Sequence, residues 1–201
     1  MYPMLRIPLK APVTRAITPI CRAALALGIT PNQITVVGGI GVWVSALWAF
    51  PTGKLFLGTI VVTLFVLSDL FDGTMARISD QGASRWGALL DATIDRISDA
   101  AIMGGVVLYL VALDDRLAPV AVIALVAGFL VSYIKAKAES LDIACEGGFA
   151  ERTERLIIAL VSTGFTGLGV PYIMAIGMFF LAASSTFTVC QRLIIVYRGS
   201  R

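Results

Sequence analysis

The chain has 201 residues, 58% of them hydrophobic, and a mean hydropathy of +0.88. Soluble domains run nearer about 45–50% apolar, so this composition excludes a water-soluble scaffold and points to a bilayer. A formal charge of +3 is too small for a nucleic-acid surface, and the absence of histidine excludes a Ser-His-Asp triad and any His-bearing transferase.

Residues 1–30 scatter Lys10, Arg15 and Arg22 among short apolar stretches, without the continuous h-region of a removable signal peptide. Within them, KAPVTRAITPICRAALALG (residues 10–28) reads as an interfacial amphipathic helix with its basic face toward anionic headgroups. A plain membrane-proximal tether fits the same residues. Six apolar spans then follow, at about 33–50, 54–75, 87–113, 117–138, 153–170 and 172–196, each near the roughly 20 residues a crossing helix needs. FPTGK, ALDDR and GLGVP break the chain between the paired spans. The expected fold is therefore an all-α integral membrane protein, a single domain over 1–201 with six transmembrane helices and an N-terminal juxtamembrane segment.

Of the 16 Lys and Arg residues, only Lys54 and Arg116 fall in the turns on one side of these spans. The positive-inside rule makes the other side, with both termini, cytoplasmic. Cys21, Cys145 and Cys190 lie far apart without paired ligand spacing and read as reduced structural thiols.

The chemistry concentrates in SDLFDGTMARISDQGASRWGALLDATIDRISDA, residues 68–100. Asp69 and Asp72 are three apart near the cytoplasmic end of the second span, and Asp91 and Asp95 four apart near the start of the third. Each pair shares a helical face, and the short loop between them lets the pairs point at each other. Four carboxylates at a membrane edge repel one another unless cations offset the charge. Oxygen-only ligands favour Mg²⁺ or Mn²⁺ over Zn²⁺, and four carboxylates suit two ions about 4 Å apart, as in phosphoryl displacement. Gly73, Ala76, Gly82 and Gly87 keep side chains small beside them, and Arg77 offers a guanidinium fork for a diphosphate. Gly73 as a helix C-cap and Gly87 as a packing glycine are the plainer alternatives.

The pattern D69-x-x-D72-G73-x-x-A76-R77, then G87-x-x-x-D91-x-x-x-D95, resembles the signature of the CDP-alcohol phosphotransferase family. The spacer between Arg77 and Gly87 is one residue longer than usual, which places the insertion in the SDQGAS loop. The resemblance extends over essentially the whole chain. It implies that Asp69, Asp72, Asp91 and Asp95 hold two divalent ions and that Asp95 is also the catalytic base. It implies further that Asn32, Gln33, Ile34, Thr35, Gly73, Arg77 and Ser84 contact a CDP-diacylglycerol donor, and that the enzyme is a homodimer of the plasma membrane with a cytoplasmic active site. Asp99, one turn beyond Asp95, reads as structural, with Arg96 or a helix hydroxyl as partner.

Lys135, Arg155 and Arg192 lie near the cytoplasmic ends of the last three spans, where they are either snorkelling anchors or a phosphate-sized basic pocket. Ser132, one turn before Lys135, adds a hydrogen-bond donor, and Arg152 is a weaker member. SYIKAKAES, GGFAERTERLI and CQRL resemble the actinobacterial phosphatidylinositol-phosphate synthases, which implies a phosphorylated polyol acceptor, inositol 1-phosphate. Phosphatidylglycerophosphate synthesis from glycerol 3-phosphate is the nearest alternative. A cation transporter is the alternative of another class, disfavoured because the carboxylates gather at one membrane face rather than the midplane.

Overall fold

A computed structural model describes residues 10–79, 84–145, 147–148 and 151–200. Gly82 and the rest of the 80–83 loop, where the extra spacer residue is expected, lie outside the described residues, as do residues 1–9 of the N-terminal segment. The regular elements among the described residues are all helical: α1 Lys10–Ala26, α2 Pro31–Ala49, α3 Leu55–Val66, α4 Ser68–Ile78, α5 Arg85–Ala112, α6 Ala118–Glu139, α7 Arg152–Gly167 and α8 Ile173–Gly199. Only Leu67 separates α3 from α4, so the expected second span is one apolar stretch from Leu55 to Ile78.

Four segments are long and apolar enough to cross a membrane: α2, α3 with α4, α6, and α8. Large apolar side chains lie exposed along them, Val37, Val44, Leu64, Phe129, Ile176 and Phe179 among them, a surface suited to lipid and costly in water. The other two expected spans are helices of a different character. α5 is long enough at 28 residues, but its first fifteen carry Arg85, Asp91, Asp95, Arg96 and Asp99. α7 has 16 residues, about 24 Å at 1.5 Å per residue, short of a hydrocarbon core of about 30 Å.

The helix ends follow from local chemistry. α1 closes in a Schellman motif: the Ile29 amide donates to the Ala24 carbonyl (3.0 Å) and the Gly28 amide to Leu25 (2.9 Å), with Gly28 at φ +81°. α6 ends in the same way, with the Ile143 amide donating to Ala138 (3.0 Å) and Asp142 in the left-handed region.

The chain divides into two compact units, Met1–Gly41 with Leu64–Asp95, and Val42–Thr63 with Arg96–Arg201. In the first, α1 packs on α4, where the fully buried Cys21 thiol sits over the Phe71 carbonyl (3.8 Å). Gly38, Gly39 and Gly41 make the close approaches: a Cβ on them would strike Ser68, Ile94 and Phe65 respectively. Small residues thus set the helix spacing, as expected where lipid removes the hydrophobic drive between helices. In the second unit α8 packs against α6 and α7 around buried Val131, Leu160, Met178 and Leu181. There Gly177 lets Ser162 approach, its missing Cβ falling 2.5 Å from the Ser162 side chain.

Candidate functional site

The first unit encloses a cavity of about 900 Å³, at the upper end of the size range of small-molecule sites. Its walls come from four helices: Arg22 from α1, Asn32 and Thr35 from α2, Asp72, Gly73 and Arg77 from α4, and Gly87 and Asp91 from α5, with Ser84 at the α5 start. Two helix N-termini border it, and each is capped by its own sequence. In Thr30-Pro31-Asn32-Gln33 the Gln33 amide donates to Thr30 Oγ1 (3.3 Å) while the Thr30 amide donates to Gln33 Oε1 (2.8 Å). This is a capping box with proline at the first helical position. Ser84 Oγ accepts the Gly87 amide (2.9 Å) and caps α5. A Cβ on Gly87 would lie 3.0 Å from both Asn32 Oδ1 and Ser84 Oγ, so glycine is what allows the two N-termini to meet. Such ends favour an anion, and Arg22 and Arg77 add positive charge.

Gly73 differs from Gly87. A Cβ there would meet nothing nearer than Arg77 Nη1 at 4.0 Å, so the protein does not require glycine at this position and the space belongs to the cavity. Arg77 is steadied by Nη2 donating to Thr74 Oγ1 (3.2 Å).

Of the expected donor contacts, Asn32, Thr35, Gly73, Arg77 and Ser84 line this cavity. Gln33 and Ile34 are not among its walls; the Gln33 side chain is engaged in the cap, and Ile34 is half-buried in α2. Asp72 is 6% exposed and accepts a hydrogen bond from Thr35 Oγ1 (2.6 Å), while its charge is felt by Asp69 and Asp91. Asp69 and Asp95 are half-buried and Asp91 is exposed. The donor chemistry fits a hard divalent cation, being oxygen-only and mutually repulsive. The carboxylates are not gathered, however: among the described residues no three acidic, Cys or His side chains converge closely enough to hold an ion.

A second polar cluster lies within the other unit. The Asp99 carboxylate receives Arg152 Nε on Oδ1 at 3.2 Å, and on Oδ2 Arg96 Nη1 at 3.6 Å and Arg155 Nη2 at 3.8 Å. Arg155 is 9% exposed, and both Arg96 and Arg155 (3.4 Å) donate to Ser132 Oγ. Gly128 makes room for Arg155, since a Cβ there would sit 3.3 Å from Nε. Arg192 is buried and donates to the carbonyls of Gly147 (3.2 Å) and Val131 (2.5 Å), the residue before Ser132. It acts on Arg155 through its charge. Lys135 is exposed. The structure thus brings Arg155 to Ser132, ties Arg192 to the carbonyl of the residue before it, leaves Lys135 at the surface, and places Arg152 on the same Asp99 carboxylate as Arg155.

One participant was not apparent in the sequence. Arg22 reaches the cavity only because α1 packs on α4, a tertiary fact with no local signature. Arg96 and Asp99 were expected to pair, which they do, but the partners from α7 lie more than fifty residues away. The paired bases at 152 and 155, in the first turn of α7, were the available signal.

The family model for CDP-alcohol phosphatidyltransferase matches residues 28–196. The phosphatidylinositol phosphate synthase of Streptomyces avermitilis is 42% identical over 196 residues, covering 93% of this chain and 80% of that protein. Among solved structures, the Mycobacterium tuberculosis phosphatidylinositol phosphate synthase with CDP-DAG bound is 44% identical. It superposes with a TM-score of 0.87 over 91% of this chain and 94% of that one. The same mycobacterial enzyme in complex with manganese and citrate gives 44% identity and a TM-score of 0.84, over 90% of this chain and 88% of that one.

Proposed function

The chain belongs to the CDP-alcohol phosphatidyltransferase family, and from that premise we propose that it transfers a phosphatidyl group from CDP-diacylglycerol to inositol 1-phosphate, giving phosphatidylinositol phosphate and CMP. The observation that carries the choice of acceptor is the cluster of Arg96, Arg152 and Arg155 around Ser132 and Asp99, whose converging guanidinium donors suit a phosphomonoester. Names of relatives at 42 to 44% identity support the same acceptor.

The donor fits the 900 Å³ cavity, its diphosphate toward Arg77 and the capped N-termini of α2 and α5. Asp69, Asp72, Asp91 and Asp95 are the residues that would hold two divalent ions, Mg²⁺ or Mn²⁺. When bound, these neutralise the diphosphate and the departing CMP. Asp95 takes the proton of the acceptor hydroxyl, whose oxygen attacks the β-phosphorus as the bond to CMP breaks. We assign six transmembrane helices, with α5 and α7 completing the set, and an interfacial α1 as one membrane domain. The enzyme is a homodimer of the plasma membrane with its active site and both termini cytoplasmic.

The decisive test is CMP release by the purified enzyme with CDP-diacylglycerol, Mg²⁺ and one of inositol 1-phosphate, free inositol, glycerol 3-phosphate or serine. Turnover with glycerol 3-phosphate alone would replace the assignment by phosphatidylglycerophosphate synthesis.

Two substitutions probe the donor side. Because Gly73 faces open cavity, Gly73→Ala should fold normally yet raise the donor KM several-fold, roughly the effect of losing 1 kcal/mol of contact. An unchanged donor KM would show that the space is not used. Thr35→Val removes the hydrogen bond that orients Asp72, and such supporting contacts to metal ligands are worth about 10–100-fold in affinity. The half-saturating Mg²⁺ concentration should therefore rise about tenfold, with activity recovered at high Mg²⁺.

A further inference from the structure

We infer that Arg22 is a donor-binding residue: α1 carries its guanidinium to the cavity of the first unit, where it meets the diphosphate of the CDP-linked donor. The inference rests on the donor reading above. It adds a residue from outside the aspartate motif and outside residues 28–196, the segment that the family model matches.

Local structure brings Arg22 there. Cys21 is fully buried, its thiol over the Phe71 carbonyl (3.8 Å), which fixes the face that α1 turns to α4. Successive residues of an α-helix are turned by about 100°, so Arg22 projects to the side of that contact. Leu25, three residues on, shares its face, and both line the cavity. α1 stops at Gly28, and Ile29 and Thr30 continue the same wall into the capped N-terminus of α2. The base thus stands beside a helix end that itself favours an anion.

The side chain is available to a ligand. Arg22 is exposed, and among the described residues its guanidinium makes no hydrogen bond or ion pair, whereas Arg77 on the same cavity has Nη2 tied to Thr74 Oγ1 (3.2 Å). A guanidinium carries five donors and matches phosphate oxygens two at a time, and the diphosphate is the anionic part of the donor. Arg15 supplies the contrast. It is exposed on the same helix, two turns earlier and about 10 Å back along the axis, and it is not a wall of the cavity. Headgroups of the bilayer are a second source of phosphate for a base on such a helix, and the two sources predict different results.

In uncharged detergent micelles with Mg²⁺, Arg22→Ala should raise the donor KM about five- to tenfold, the low end for a charge-assisted contact because water screens an exposed group. The acceptor KM should stay near wild type. CDP, which carries the diphosphate without the lipid, should inhibit less strongly by a similar factor, and both effects should shrink as salt rises. Arg22→Lys keeps the charge but not the fork and should fall between, while Arg15→Ala should leave both values unchanged. Wild-type donor KM and CDP inhibition in Arg22→Ala overturn the proposal. A raised donor KM with unchanged CDP inhibition overturns it too, because it assigns Arg22 to the lipid surface, as do equal losses in Arg15→Ala. Should Arg22→Ala not fold, Arg22→Lys decides alone: weakened CDP inhibition supports the contact and wild-type inhibition overturns it. The donor reading has its own control. If CDP does not inhibit the wild-type enzyme, the cavity is not the donor site and the assignment of Arg22 falls with it; if CDP inhibits wild type and Arg22→Ala alike, only the role of Arg22 falls.

Discussion

Asp95→Asn is expected to lower CMP release by about 10²–10⁴-fold, the range for loss of a positioned general base, while CDP-diacylglycerol binding persists. The chain has no histidine to take over proton transfer, and Asn keeps the size and much of the hydrogen bonding of Asp without its basicity. Asp95 is half-buried on α5, one turn beyond Asp91. Single-turnover CMP release together with a donor-binding measurement checks the prediction. The metal offers an internal control. A variant that only weakens metal binding, such as Thr35→Val, recovers at high Mg²⁺, whereas loss of the base does not. Turnover of Asp95→Asn at close to the wild-type rate would remove Asp95 from proton transfer.

The aspartate pairs were legible because intervals of three and four place side chains on one helical face, and because carboxylates at the ends of apolar spans are costly enough to require a reason. Helix placement was legible for the same reason that composition was, since runs of apolar residues broken by GLGVP or FPTGK leave few alternatives. What periodicity does not encode is which helices touch. Arg22 looked like an interfacial base and became a cavity wall through the packing of α1 on α4. Asp99 acquired two arginines from α7 that no local pattern predicts. Gln33 illustrates a signal present but read otherwise. T-x-x-Q before an apolar run is a capping-box signature, and the structure uses Gln33 in that way, a role beside the donor contact that the family resemblance implies. Arg192 is similar: its buried guanidinium is tied to two backbone carbonyls, an anchoring role that its position near a helix end did not reveal.

Arg155→Ala should raise the acceptor KM by about 10–150-fold, the equivalent of the roughly 1.5–3 kcal/mol of a hydrogen bond to a charged group. The donor KM should stay near wild type, since no wall of the donor cavity comes from Arg155. Removing a buried arginine often unfolds a protein by stranding its partner. Here Asp99 keeps Arg152 at 3.2 Å and Arg96 at 3.6 Å, and losing one of three neighbouring cations relieves repulsion, so the variant should fold. Arg155→Lys retains the charge but not the fork that spans Ser132 and a phosphate, and should fall between alanine and wild type. Equal rises in donor and acceptor KM would show that Arg155 supports the fold rather than the acceptor. The same substitution tests whether the acceptor carries a phosphate at all. For an uncharged polyol the arginine contributes ordinary hydrogen bonding, worth about 0.5–1.5 kcal/mol, and the KM would move by about tenfold at most. Only a charged group on the acceptor makes Arg155 worth a factor near one hundred.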